Sequence, residues 1–160
     1  MQMKFRNKSS FSEAEIEEIK DAIHWAANLL SLNDVEKYLL KFTVTDEVLQ
    51  NNKAVMGSFL PAWDDVGEIT VRKQRKVKQT ISTVFHEMTH CQQVVQGRMV
   101  AKADLTYWHN KPYVIERGMS FFKYWKLPWE VEARKVERIL RNEWWKETTT
   151  VGKLWKRIFG

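Results

Sequence analysis

Residues 83–93, TVFHEMTHCQQ, place two histidines and one glutamate within five positions: His86, Glu87 and His90. On a helix, side chains four residues apart share a face, with Cβ atoms about 5–6 Å apart, so both imidazoles can bind one Zn²⁺. Glu87 points about 100° around the helix from His86, where it can reach a water on the metal without binding the metal itself. The spacing H-E-x-x-H is therefore typical of a metal site with a general base.

The helix around this motif favours a metal site over a hydrogen-bonded or surface pair of histidines. Its apolar side chains fall on one stripe, and both histidines lie on nearly the opposite side of the helix. The histidines therefore face something other than the core that buries the stripe. The residues of this stripe are Val77, Ile81, Val84, Met88, Cys91 and Val95.

The residues before the motif predict one helix and three strands. Ser12 and Glu15 form a capping box at the start of a helix over 12–32, whose apolar residues recur at helical spacing. Aromatic and β-branched residues predict the strands, and Pro61 fits the turn between the last two. The predicted strands cover 35–46, 53–60 and 67–72.

The residues after the third strand predict two further helices. The motif helix follows the basic run at 72–78 and ends at Gly97, a residue favoured just beyond a helix. Residues 99–115 alternate around a turn and predict a hairpin or a long loop. Pro128 suits the first turn of a last helix, which continues to about Lys146.

Composition bounds the class of protein. A chain of 160 residues with 44% hydrophobic and 12% aromatic residues is long enough for one core, which predicts a single domain over 1–160 with a loosely attached tail at 147–160. The uncharged stretches are too short to span a bilayer. The N-terminal residues lack the apolar region of a signal peptide, and Cys91 is the one cysteine. A cytoplasmic location without a membrane span is expected.

Charge is unevenly distributed along the chain. Residues 72–160 contain 19 Lys and Arg against 8 Asp and Glu, whereas residues 1–71 contain 7 against 12. The basic half predicts either attraction to an acidic partner, such as nucleic acid, a membrane surface or an acidic protein, or an ordinary solvated face.

HEMTH on a helix, preceded by strands and followed by a second helix, resembles the zincin metallopeptidases. The resemblance covers about residues 35–146 in layout, and its specific motif is short. The metzincin branch carries a glycine and a third histidine where this chain has Gln93 and Gln96, so that branch is excluded. The gluzincin branch takes its third ligand from a glutamate on the next helix, and the chain is similar to that branch.

The similarity extends to small metallopeptidases of phages and bacteria, which have HExxH-x-x-Q followed by Y…P-x-E-x-E-A. It implies an α+β, zincin-like fold in which a small antiparallel or mixed sheet packs on an N-terminal helix and the motif helix. A further helix then carries the third ligand. The matching residues are Gln93, Tyr124, Pro128, Glu130, Glu132 and Ala133.

The gluzincin resemblance implies one Zn²⁺ per chain, bound by His86, His90 and Glu130. Glu132 and His109 are the alternative third ligands. The oxyanion donor is expected among a histidine and three tyrosines, and the family layout favours Tyr124. These four residues are Tyr107, His109, Tyr113 and Tyr124.

This ligand set implies peptide hydrolysis. Two imidazoles and a carboxylate leave a fourth zinc position for water and lower the pKa of that water toward about 7. Glu87 would take the proton as the water attacks a peptide carbonyl, and would pass it to the leaving amine. The peptide or protein substrate is expected to lie along an edge strand at 67–73. The alternative is a zinc-retaining binding or accessory protein of zincin fold that processes nothing, acting on or near nucleic acid.

One position departs from the gluzincin pattern. Many gluzincins follow E-x-E-A with an aspartate that orients the first histidine, and this chain has Arg134 there. Metal-ligating histidines usually donate their second N–H to a carboxylate or a carbonyl. Glu137 lies seven residues after Glu130, on the same helix face, so either Glu137 or a backbone carbonyl is expected to take this role.

Overall fold

The computed structural model describes residues 1–35, 38–51, 54–62, 65–102, 105–116 and 118–148. These residues form a mixed four-stranded sheet, an antiparallel three-stranded sheet and helices, so the predicted α+β class is confirmed. The strands are β1 (Gln2–Lys8), β2 (Leu39–Thr45), β3 (Gly57–Ala62), β4 (Val66–Arg72), β5 (Met99–Lys102), β6 (Leu105–Trp108) and β7 (Lys111–Val114). The helices are α1 (Glu13–Leu29), α2 (Val77–Val95), α3 (Phe121–Tyr124) and α4 (Pro128–Thr148).

The larger sheet has the order β1-β2-β4-β3, with β1, β2 and β4 parallel and β3 antiparallel. Its two central strands alternate buried and less buried residues, because successive side chains point to opposite faces of a sheet. Their buried side chains join those of α1 and α2 in one core cluster. The capping box of Ser12 and Glu15 begins α1 as predicted. Helix α2 is thereby held on the sheet, with one side turned toward α4.

Strand β1 was not predicted from the sequence. Met1, Met3 and Phe5 alternate with polar residues and pack partly buried against the core. The Phe5 ring stacks on Phe42 of β2 with ring centroids 6.2 Å apart. This alternation is the period-2 signal of a half-buried strand, and it is weakened by the charged residues between.

Two expectations about the strands before α2 are wrong. Pro61 lies inside β3, paired with Gly67, and not in the turn. Since proline has no N–H to donate, it is tolerated in a strand at the edge of a sheet, which is where β3 lies among the described strands. Strand β4 pairs with both β2 and β3, so the segment predicted at 67–73 as a substrate-binding edge is an interior strand.

The stretch predicted as a hairpin or a long loop is the three-stranded sheet β5-β6-β7. His109 and Asn110 connect β6 and β7, with φ of 47° and 64°. Positive φ at both central residues is typical of the two-residue turns that match the twist of a hairpin.

The described end of the chain is helical. Helix α4 continues to Thr148, and the Trp25 Nε1–H donates to Glu147 Oε2 over 3.1 Å, so residues 147–148 are attached to the fold. The rest of the predicted loose tail, 149–160, lies outside the described residues. In the described part of the chain, none of the helices has the length and apolar character needed to cross a membrane.

Candidate metal centre

Helices α2 and α4 pack against each other and bring three possible metal ligands together. His86 and His90 lie on the face of α2 that is turned toward α4, with their Nε2 atoms 3.1 Å apart. Glu130 lies in the first turn of α4 and is buried. Its two carboxylate oxygens are 3.3 Å from His86 Nε2 and 3.2 Å from His90 Nε2. The three sequence-predicted ligands therefore form one cluster that could bind a metal ion.

In each imidazole, the partner of the outer nitrogen, Nδ1, determines whether the nitrogen that faces the cluster, Nε2, can bind a metal. His86 Nδ1 is 3.3 Å from Glu137 Oε2, and His90 Nδ1 is 2.9 Å from Gln93 Oε1. The Gln93 amide is oriented by its other end, since Gln93 Nε2 donates to the Trp129 carbonyl over 3.0 Å. Both outer partners are acceptors, so each Nδ1 carries a proton, and a neutral ring then presents a lone pair at Nε2.

Two imidazole lone pairs and a carboxylate therefore converge on one point. Ligand atoms about 2.0–2.1 Å from a tetrahedral zinc ion are about 3.3–3.4 Å apart, as follows from simple geometry. The two Nε2 atoms are 3.1 Å apart, close to that spacing, and each lies 3.2–3.3 Å from a different oxygen of Glu130. One ligand atom from each of the three residues lies within 4.8 Å of the others. The donor set and its spacing both fit a small divalent cation.

When no cation is bound, a proton on His86 offsets the negative charge of the carboxylates that face it. Burial lowers the pKa of His86, but hydrogen bonds to Glu130 and Glu137 outweigh it and raise that pKa to about 10. Burial raises the pKa of Glu130, and the two histidines outweigh that effect and hold the pKa well below its usual range. His86 must therefore release a proton before its Nε2 can bind a metal.

Glu137 is the carboxylate that faces the outer nitrogen of His86. In addition to facing His86, its carboxylate accepts a hydrogen bond of 2.6 Å from Ser82 Oγ. Burial raises the pKa of Glu137, but hydrogen bonds from His86 and Ser82 lower it overall, so the carboxylate stays ionised. Of the two options that the sequence left open, the structure places the Glu137 side chain on His86.

Replacing Glu137 by alanine should lower zinc affinity about 10–100-fold, the usual cost of losing a carboxylate behind a metal-bound histidine. The matched control is Glu143→Ala on the same helix, which removes an exposed carboxylate paired with Lys146. Competition titrations with a chromophoric chelator measure both variants. Equal affinities for Glu137→Ala and Glu143→Ala would contradict the orienting role of Glu137.

Glu87 lies beside the three ligands and is 6% exposed. Burial raises the pKa of its carboxyl, His90 and His86 lower it, and the net shift is upward. Strand β3 begins at Gly57, directly against this side chain, and a Cβ atom there would lie 2.6 Å from Glu87 Oε1. Only glycine lets the strand approach so closely. Sequence reasoning missed this contact, because Gly57 is distant in the chain and carries no motif.

Tyr124 is the one predicted oxyanion donor that adjoins the cluster. The side chain is 39% exposed, but desolvation of its hydroxyl, followed by the Glu130 and Glu87 carboxylates, raises the pKa of that hydroxyl above the usual range, so the phenol keeps its proton. The other three residues belong to the small sheet or its turn and pack against neighbouring side chains. Tyr107 lies under Lys102, His109 packs edge-on against Trp108, and Tyr113 packs edge-on against Trp129.

The alternative third ligands, Glu132 and His109, are not part of the cluster of described residues that could bind a metal. Glu132 accepts a hydrogen bond from Arg98 and lies 3.4 Å from Gln93 Nε2. It thus supports the glutamine that orients His90. Gln93 belongs to the motif that resembles the small metallopeptidases. The contact of Gln93 with Trp129 depends on how α4 packs on α2.

The basic run at 72–78 leads into α2, and two of its lysines contact other side chains of the fold. Lys73 Nζ donates to Ser10 Oγ over 2.8 Å and lies over the Phe11 ring. Lys78 Nζ lies over the Trp145 ring, 5.7 Å from its centroid. These contacts give Lys73 and Lys78 a structural role within the fold.

A scan against protein-family models, a search of curated proteins and a search of solved structures each gave no match for this chain.

Proposed function

We propose that this chain is a zinc-dependent metallopeptidase of the gluzincin type. His86, His90 and Glu130 bind the zinc ion, and Glu87 is the general base. The observation that carries the proposal is the convergence of two imidazole Nε2 atoms and a buried carboxylate, with a second buried carboxylate, that of Glu87, next to them in the chain. Two histidines and a glutamate are the ligand set of catalytic zinc sites, which keep a position open for water.

The choice of zinc rests on the donor types. Imidazole nitrogens suit zinc and other transition metals, whereas sites for Mg²⁺ and Ca²⁺ are built from oxygen ligands. Structural zinc sites are closed sets of four ligands, often rich in cysteine, and Cys91 is buried away from the cluster among core residues. A three-ligand site with an adjacent carboxylate supports catalysis over a structural role.

Each side chain has a separate task in the proposed reaction. A zinc ion at this site would polarise both a water molecule and the substrate carbonyl. Glu87 accepts the proton of that water and delivers it to the leaving amine, and its raised pKa brings it closer to the range that suits a general base near neutral pH. Tyr124, protonated and next to Glu130, donates a hydrogen bond to the oxygen that gains negative charge.

The substrate is a peptide or a protein segment that lies along β3. That strand is the edge strand next to Glu87, and its first residue, Gly57, touches the proposed base. An edge strand offers a row of backbone groups to an extended peptide, which can add to the sheet as a further strand. The peptide bond to be cleaved would then pass in front of Glu87.

Buried Glu87 favours an enzyme over a zinc-retaining binding protein. An ionisable side chain that is desolvated beside a metal site costs stability, and such groups cluster where chemistry is performed. A binding protein needs the three ligands but has no use for this carboxylate. The described residues of the basic half, up to residue 148, give a nucleic-acid role no comparable geometric support.

The proposal is tested by removing and restoring the metal. Purified protein should carry about one zinc per chain by mass spectrometry, and it should cleave members of a diverse peptide library. Treatment with a chelator should abolish both, and added Zn²⁺ should restore them. Zinc-loaded protein that cleaves no peptide would leave the binding-protein alternative, and protein with no affinity for zinc would overturn both.

A further inference from the structure

We propose that Arg134 is a positioning residue, which holds the turn that carries Tyr124 against the metal centre. The turn comprises α3 and Trp125, and it precedes α4. The catalytic consequence rests on the proposed peptidase function, whereas the structural one does not. Position 134 is where the chain departs from the gluzincin pattern.

Little hydrophobic burial anchors this turn. Helix α3 is four residues long, and none of its residues is buried. Phe121, Phe122 and Trp125 are 54%, 77% and 45% exposed. Burial of apolar side chains normally fixes a helix on its neighbours, and here that contribution is small. The turn therefore depends on polar contacts for its position.

Arg134 supplies such contacts from the second turn of α4. Its guanidinium lies over the Trp125 ring, 4.8 Å from the centroid, and its Nη2 donates to the Trp125 carbonyl. Its Nη1 is 3.6 Å from Glu130 Oε2. One planar group thus touches the ring and the backbone of the turn, and also a proposed metal ligand.

The geometry of these contacts requires an arginine. A guanidinium presents its N–H groups in a rigid fork and stacks on aromatic faces, whereas a lysine ammonium is a single flexible point charge. Arg134 Nη1 is buried, with no hydrogen-bond partner among the described residues, so the nearby Glu130 carboxylate is what offsets its charge. An aspartate at this position would repel Glu130 and could not donate to the Trp125 carbonyl.

Glu137 explains why position 134 is free for this role. In the gluzincin pattern the residue at 134 orients the first histidine, and here Glu137 faces His86 Nδ1 instead. On α4, position 137 therefore orients the ligand, and position 134 positions the turn. Tyr124 immediately precedes Trp125, so holding Trp125 also holds the tyrosine near Glu130 and Glu87.

Hydrogen exchange in the zinc-loaded protein tests the structural part. The amides of Tyr124 and Trp125 bond to the Ser120 and Phe121 carbonyls over 3.0 Å and 2.9 Å, and they report whether the turn opens. Arg134→Met should raise their exchange rates roughly tenfold, as expected when a charged hydrogen bond no longer opposes local opening. Arg134→Lys should restore little of the protection. The control, Arg138→Met, changes an exposed arginine one turn further along α4 and should leave exchange unaltered.

A double-mutant cycle tests whether Arg134 acts through Tyr124. Tyr124→Phe and Arg134→Met should each lower kcat with KM nearly unchanged, and the double variant should be no slower than Tyr124→Phe alone. Unaltered exchange in Arg134→Met would overturn the proposal, as would additive effects on kcat. If wild-type protein binds zinc but cleaves nothing, the proposed function fails, and the exchange data still decide the role of Arg134.

Discussion

Replacing Glu130 by alanine should lower zinc affinity on the order of a thousandfold, because it removes one of three ligands and leaves two imidazoles to hold the ion. Glu130 is 4% exposed, and its carboxylate faces both Nε2 atoms. A water molecule in its place would lack the negative charge of the carboxylate. Glu132→Ala is the matched control on the same helix. Its carboxylate contacts Arg98 and Gln93 and lies outside the cluster, so affinity should fall by less than about tenfold.

Competition with a chromophoric chelator at fixed pH gives both affinities, and circular dichroism shows whether each variant is folded. The assignment of Glu130 is wrong if Glu130→Ala binds zinc like the wild type while Glu132→Ala does not. If both variants lose zinc affinity while their secondary structure stays intact, Glu130 and Glu132 both contribute to metal binding.

The motif on α2 was predictable because it is local. The spacing of His86 and His90 places them on one helix face whatever the rest of the chain does, and the apolar stripe opposite them fixes which side meets the core. The capping box of Ser12 and Glu15 is equally local, and so is the helix that begins near Pro128. These features need only the geometry of a single helix.

The identity of the third ligand could not be predicted from α4 alone. Nothing in the periodicity of α4 separates Glu130 from Glu132; the resemblance to gluzincins made that choice, and the packing of α4 on α2 places Glu130 at the histidines. Arg134 departs from the gluzincin pattern, and this departure is visible in the sequence. That Glu137 would face His86 was one of two options, and only the helix packing decides between them.

Strand order was the least predictable part of the fold. A strand pattern reports which residues alternate, but an edge strand is defined by what pairs on its other side, which depends on distant segments. For that reason the sequence predicts the edge at β4, whereas β3 has that place among the described strands and Pro61 lies within it. The close approach of Gly57 to Glu87 follows from this strand order, so it could not be predicted from the sequence either.

Replacing Glu87 by glutamine should preserve zinc binding and lower peptide hydrolysis about a thousandfold, within the range expected for loss of a general base. Glutamine has nearly the same shape and fills the space beside Gly57, so the strand should stay in place. It cannot accept a proton from water, so the ligands remain and the proton transfer is lost. Glu143→Gln, on the exposed side of α4, should change neither property.

The same variant should also change the pH dependence of stability in the metal-free protein. Burial raises the pKa of Glu87 in the folded state, so the fold favours the protonated carboxyl, and stability is lost as pH rises above the ordinary value of 4.5. Glutamine removes that loss. Glu87→Gln should therefore melt at a higher temperature than wild type at pH 7–8, by a margin that shrinks as the pH falls toward 4.5.

Zinc content, peptide turnover and melting curves on one preparation separate the possible roles of Glu87. Loss of zinc in Glu87→Gln would make this side chain a ligand. Turnover at the wild-type rate would assign the general base to another residue. Retained zinc, higher metal-free stability and lost turnover together are expected of a carboxylate that the fold keeps buried, at a cost in stability, for proton transfer.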